Sequence, residues 1–182
     1  MNKDLQIAKR TVQTEIQALK KLSSSFIRSS NFSKAVSLLS KAKSKICVVG
    51  VGKSFLIGSK VAGTLSSLGC AAVAFDANSL SHGGLGFISK DDILLIFSVS
   101  GESSELNSVL RYAHRFNIKI IGVSCKKSML LKNSTIKILL PKVSEVEGLL
   151  APTSSATMFS CFGDALSVAC CKRKKWTNKK FI

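Results

Sequence analysis

Aromatic residues able to stack on nucleic-acid bases are scarce in this chain, with one Trp and one Tyr among 182 residues. Acidic residues are few as well: 10 Asp and Glu stand against 27 Lys and Arg, for a formal net charge of +17. So large an excess invites a polyanion. The basic residues are mostly lysine and spread out, however, with dense runs only at Lys41–Lys45 and Lys172–Lys180. A solvated, lysine-rich surface that steers small anions is the plainer reading, and nucleic acid is not expected as a partner.

Cysteine pairs of the C-x-x-C kind are missing, and the six cysteines (Cys47, Cys70, Cys125, Cys161, Cys170, Cys171) are scattered. Cys47 and Cys125 sit in apolar runs, where a reduced thiol behaves as a small hydrophobe. The first residues carry no secretory signal, so reduced thiols in a cytoplasmic protein are expected. A clean membrane span is missing too. The most apolar stretch, 149–171, is broken by Pro152, Ser154, Ser155 and Asp164, and reads as a buried helix. With only two prolines and 46% hydrophobic residues, the chain can bury one good core.

What is there alternates between two periods. Residues 1–44 place Leu5, Ile7, Val12, Ile16, Leu19 and Leu22, then Ala35, Val36, Leu38 and Leu39, at helical spacing. Two leading helices follow, the second capped by Asn31 or Ser33, with an apolar stripe suited to packing or to a dimer seam. From residue 45 to 182 the pattern predicts one compact unit of five strands: 46–49, 71–75, 93–97, 118–123 and 136–140. Helices run to about Leu68 and Phe116, a short one passes Met129, and a long one spans Ser154 to Lys172. Strands separated by such helices imply an α/β three-layer sandwich with a parallel sheet. Ligands then bind at the carboxyl ends of the strands.

Two turns fall at those ends. Ser98-Val99-Ser100-Gly101-Glu102-Ser103-Ser104-Glu105 joins a continuous apolar strand to a helix. Such a junction gathers free amides and the positive end of a helix dipole, which bind phosphate. Two carboxylates beside a phosphate would repel it, so at least one is expected to serve chemistry. Gly50-Val51-Gly52-Lys53-Ser54 satisfies neither a P-loop nor a dinucleotide fingerprint, having Cys47 and Phe55 at the deciding positions. Asp76 at the end of strand two keeps a nucleotide as a minor alternative. Lys53 at a helix start is electrostatically poor as mere surface and is expected to face the cleft. Of the two histidines, His114 reads as a surface or packing residue. His82 lies in the glycine-rich loop Ser81-His82-Gly83-Gly84-Leu85-Gly86 and is a site candidate. Glu145 and Glu147 precede Ala151-Pro152-Thr153-Ser154-Ser155, hydroxyls at another helix start, readable as an ordinary cap.

Taken in order, Gly-x-Gly-Lys-Ser, His-Gly-x-Leu-Gly, Ser-x-Ser-Gly-Glu-Ser-Ser-Glu, Ala-Pro-Thr-Ser-Ser and Gly163-Asp164-Ala165-Leu166 resemble the sugar isomerase (SIS) domain of arabinose-5-phosphate isomerases over about residues 40–182. The resemblance implies a flavodoxin-like five-stranded fold and aldose-ketose interconversion of arabinose 5-phosphate and ribulose 5-phosphate through an enediol-type intermediate. That reaction feeds lipopolysaccharide synthesis and needs no metal or redox cofactor. Lys53, His82, Glu105 and Glu145 would be catalytic, with Glu147 the other choice for the last acid. Gly52, Ser54, Ser98, Ser100, Gly101, Ser103, Ser104, Thr153, Ser154 and Ser155 would hold the sugar phosphate. A homo-oligomer, a tetramer by family habit, and no membrane partner are implied as well.

Gly84 replaces the family's usual aspartate, Ser79 a glutamate, and Phe55-Leu56 a Gly-His pair. Family members continue past the equivalent of Phe181 into a Ser-His-Pro-Gly-Gly segment and paired CBS modules, and this sequence ends at Ile182. The alternative implied is a catalytically impaired sugar-phosphate-binding module.

Overall fold

The computed structural model describes residues 2–26 and 30–177. Phe181 and the end of the Lys172–Lys180 run lie outside them. The five apolar segments become β1 (Ile46–Gly50), β2 (Ala72–Asp76), β3 (Ile93–Phe97), β4 (Lys119–Ser124) and β5 (Ile136–Leu139). All neighbours pair parallel, in the order β2-β1-β3-β4-β5. β1 and β3 are buried at every position, because helices cover both faces of the sheet.

Strand alternation divides the core in two. Val48, Leu95, Phe97, Ile121 and Val123 face α1 (Lys3–Phe26), α2 (Ser30–Ser40), α3 (Lys53–Ser67) and α7 (Ser154–Arg173). Cys47, Val49, Leu94, Ile96 and Ile120 face α4 (Ala77–Ser81), α5 (Leu106–Arg115) and α6 (Met129–Lys132). α7 and α3 meet where Gly163 lies directly against Val61, with no space for a Cβ. Burial pushes the Cys47 and Cys170 thiols up to about 12 and the Cys125 thiol to about 11. Among the described residues no helix is long and apolar enough to cross a membrane.

Three local expectations change. Asn31 and Ser33 lie inside α2 rather than at its cap, and the Asn31 side-chain amide donates to the Lys137 carbonyl at 2.8 Å. The His82 segment is not all loop: Asp76 accepts the Asn78 N–H at 3.2 Å and starts α4, with a 3-10 turn following at Gly84–Phe87. The α1 stripe is only half used, since Leu22 is buried while Leu5 and Val12 remain 62% and 57% exposed.

At the amino-terminal end of the sheet one carboxylate ties β1 to β3. Asp92 is 2% exposed and accepts from Ser44 Oγ at 2.5 Å, Lys45 Nζ at 2.6 Å and the Ser89 amide at 2.7 Å. Burial alone would raise its pKa, but the bonds from Lys45, Ser44 and Ser89 outweigh it and hold the carboxyl below its ordinary 3.8. A depressed carboxylate stabilises the fold fully above its unfolded pKa and loses that contribution as pH falls through the folded value. Asp92→Asn is therefore expected to cost about 2–4 kcal/mol near neutral pH. Urea titrations at pH 7 and pH 3 should show the wild-type advantage shrinking at the lower pH.

Candidate functional site

The strand order reverses between β1 and β3, which connect onward to opposite sides of the sheet. Their carboxyl-terminal loops part there and leave the crevice in which open α/β sheets take ligands. Gly50–Lys53 forms one wall and Ser98–Glu105 the other. Gly50 is packed so closely that a Cβ would lie 2.5 Å from the Ser54 carbonyl carbon. Gly52 adopts φ +54, a value that favours glycine. The tight turn starts α3 at Lys53, whose side chain is exposed and makes no ion pair among the described residues.

The opposite wall is held from below. Ser98 is buried, and its Oγ accepts the Gly101 N–H at 3.0 Å and lies 3.4 Å from Ser103 Oγ. Ser100 Oγ accepts the Glu102 N–H at 3.2 Å. Gly101, at φ +68, is buried against the Ser128 side chain, where no Cβ fits. Leu106 and Asn107 donate to the Ser103 and Ser104 carbonyls at 3.1 and 3.0 Å. Among the described residues, the amides of Ser103, Ser104 and Glu105 have no partner in the protein. Three consecutive free N–H groups at the head of α5 form a cradle of the kind that can hold an anion.

Around this cradle the acids separate. Glu105 Oε2 takes a bond from Ser104 Oγ at 3.3 Å, and Glu102 Oε1 takes the Met129 N–H at 2.9 Å. His82 is exposed at the end of α4. Its neighbour Ser81 meets Ser108 at 2.6 Å, and Ser108 donates to the Glu105 carbonyl at 3.3 Å. His82 is thereby brought beside the first turn of α5.

Glu145 and Glu147 point to different partners. Glu145 Oε2 accepts from Thr153 N at 2.8 Å, Thr153 Oγ1 at 3.1 Å and Ser155 N at 3.4 Å. The ordinary cap expected from the Thr153 hydroxyl is thus replaced: no capping bond forms from that side chain, and the Glu145 carboxylate occupies the helix start. Burial would raise its pKa, yet the groups of Ser155 and Thr153 around it prevail and lower it. Glu147, at φ 50, instead lies 3.6 Å from Arg10 of α1. Cys125 sits close enough to Glu145 that the charge adds to burial in raising the thiol pKa, and its N–H donates to the Val99 carbonyl at 3.0 Å. Ser154 Oγ is buried without a hydrogen-bond partner among the described residues, whereas the buried Ser155 hydroxyl is turned to Glu145 and helps to lower its pKa.

Comparison with known proteins joins these pieces. Residues 38–169 match the model of the SIS domain. The chain belongs to the SIS domain family. This SIS domain is 37% identical over 186 residues to the arabinose 5-phosphate isomerase of Francisella tularensis subsp. tularensis, covering 100% of this chain and 56% of that protein. It is 35% identical over 176 residues to the arabinose 5-phosphate isomerase of Pseudomonas aeruginosa, covering 96% and 53%. The chain thus spans about half the length of these relatives. An Escherichia coli protein solved in complex with arabinose 5-phosphate matches with a TM-score of 0.92 at 29% identity, covering 100% of this chain and 97% of that one.

Sequence reading missed the Glu102 contact and the part played by Ser124, Cys125 and Ser128. The carboxyl end of β4 was the available signal, since it adjoins β3. Capping by Glu145 has a direct consequence for stability. Glu145→Ala is expected to cost the SIS domain about 1–2 kcal/mol, and Glu147→Ala, at an exposed ion pair, under about 0.5 kcal/mol. Urea unfolding of the two variants separates these values.

Proposed function

We propose that this SIS domain binds a five-carbon sugar phosphate and interconverts its aldose and ketose forms, arabinose 5-phosphate and ribulose 5-phosphate. The observation that carries the reading is the trio of amides at Ser103, Ser104 and Glu105, unpartnered among the described residues, at the carboxyl end of β3 beside the point where strand order reverses. The phosphate rests on those amides, with the Ser100, Ser103 and Ser104 hydroxyls around it. Ser98 and Gly101 shape the loop from beneath. Gly52 and Ser54 bring the other wall close, and Thr153, Ser154 and Ser155 close the far side.

Isomerisation removes a proton beside a carbonyl and returns it to the neighbouring carbon, leaving negative charge on oxygen in between. Lys53 stabilises that charge, and His82 moves the hydroxyl proton during ring opening. Of the two candidate bases, Glu105 suits the task better. Its carboxylate meets a single serine hydroxyl, whereas Glu145 accepts three bonds, which make it a weaker base and a better anchor. A cytoplasmic setting follows from the same reading.

A sugar-phosphate-binding module without turnover is the second reading, and Gly84 favours it. A Cβ there would lie 2.9 Å from the Ser79 carbonyl oxygen, so the position that bears aspartate in the family admits no side chain without backbone movement. Thermal unfolding and turnover distinguish the readings. Arabinose 5-phosphate should raise Tm while arabinose does not, and equal effects of both would count against the cradle. Glu105→Gln should lower ribulose 5-phosphate turnover by about 10²- to 10⁴-fold with phosphate protection retained. Absence of wild-type turnover alongside intact protection selects the binding module.

Self-association belongs to the same proposal. Leu5, Val12 and Ile16 form an exposed apolar stripe along α1, of the kind that marks an interface. Light scattering at micromolar concentration should give a homo-oligomer, a tetramer being the expected size, and Val12→Glu should shift it toward smaller species. A wild-type monomer contradicts the proposal.

A further inference from the structure

Glu102 presents a physical problem. It stands next to the free amide of Ser103, where its negative charge would repel a bound phosphate. Its side chain is nonetheless turned to a segment 27 residues away, where Oε1 accepts the Met129 N–H at 2.9 Å. Met129 opens α6, and Ser128 already serves that helix as N-cap by accepting from the Leu131 amide at 3.4 Å. The Glu102 bond therefore takes up an amide of the helix start that Ser128 leaves free.

Other bonds run across the same seam. Leu130 donates to the Gly101 carbonyl at 3.0 Å, Cys125 to the Val99 carbonyl at 3.0 Å, and Ser124 Oγ to the same carbonyl at 3.2 Å. Val99, Gly101 and Glu102 are thus fastened to the β4–α6 segment, and Ser103, Ser104 and Glu105 follow directly. Of these fastenings only Glu102 uses a charged group, and charge-assisted bonds are the strongest of their kind. It is also the last one before the free amides, so it sets the direction in which the chain enters them.

We infer that Glu102 is a positioning residue for phosphate recognition: its bond to the Met129 amide holds the Ser103–Glu105 amides in register for the ligand. The inference rests on the phosphate reading above and assigns Glu102 no contact with substrate. It also carries a sign. A carboxylate acting only through its charge would weaken phosphate binding, so its removal would tighten it. A positioning carboxylate does the opposite.

Isothermal titration of arabinose 5-phosphate into the full chain tests this, with wild type, Glu102→Ala, Glu102→Gln and Met129→Pro. Proline is tolerated at the first position of a helix and lacks the N–H, and Ser128 is already extended at φ −144 and ψ 170, as a residue before proline requires. It breaks the same bond from the other side. Glu102→Ala and Met129→Pro should each raise Kd about 5- to 30-fold, the loss of one charge-assisted bond. Their double variant should be no weaker than the weaker single one. Glu102→Gln, whose amide oxygen still accepts, should stay within about threefold of wild type. Where turnover is measurable, KM rises and kcat holds. Unliganded melting temperatures report whether each variant is folded, and a role confined to stability would move these while leaving Kd unchanged.

Tighter or unchanged binding by Glu102→Ala, or Glu102→Gln as weak as Glu102→Ala, overturns the inference and leaves the phosphate reading standing. A folded wild type that binds no arabinose 5-phosphate overturns both.

Discussion

Complete burial of β1 and β3 is the constraint from which the rest of this structure follows. A strand without a solvent face needs helices above and below it, so every connection must cross over and return parallel. With five strands in the order β2-β1-β3-β4-β5, the crossovers lead away from β1 and β3 in opposite directions. The loops at those two strand ends separate, with α3 starting toward one face of the sheet and α5 toward the other. The crevice needs no dedicated scaffold, since it is where the covering layers part.

Charge is then distributed against that geometry. The carboxyl end of the sheet collects helix N-termini, whose partial positive charge favours anions, and Glu102, Glu105 and Glu145 lie there. Two of them, Glu102 and Glu145, are neutralised locally by backbone amides at the starts of α6 and α7. Of the three, Glu105 alone keeps its carboxylate outside such a network. At the amino end of the sheet the order is inverted: helices finish there, and Lys45 is bonded to the buried Asp92. Arg115 in the last turn of α5 and Lys172 and Arg173 in that of α7 put part of the large positive charge where helix C-termini favour it.

The leading helices join the main core through Leu22, Ala35, Val36 and Leu39, yet α1 leaves much of its apolar stripe uncovered. Its contact with the site runs through Arg10 and Glu147, which places α1 beside the segment that carries Glu145.

Strand and helix positions, the parallel sheet and the serine turn after β3 were legible from periodicity and punctuation, because each depends on residues within one or two turns of chain. Gly69 marks the end of α3 by adopting φ +80, as a helix-stopping glycine should. Contacts with distant partners were not legible. The Asn31 side-chain amide donates to the Lys137 carbonyl, 106 residues on, and Glu102 takes an amide 27 residues away. Glu145 and Glu147 are alike in local context and were separable only once α7 offered amides to one and α1 an arginine to the other. The chain by itself determined where helices, strands and the glycine- and serine-rich turns form, since these are local choices of backbone conformation. Only the tertiary structure decided what each carboxylate does, because that depends on which amide or cation folding brings within about 3 Å of it.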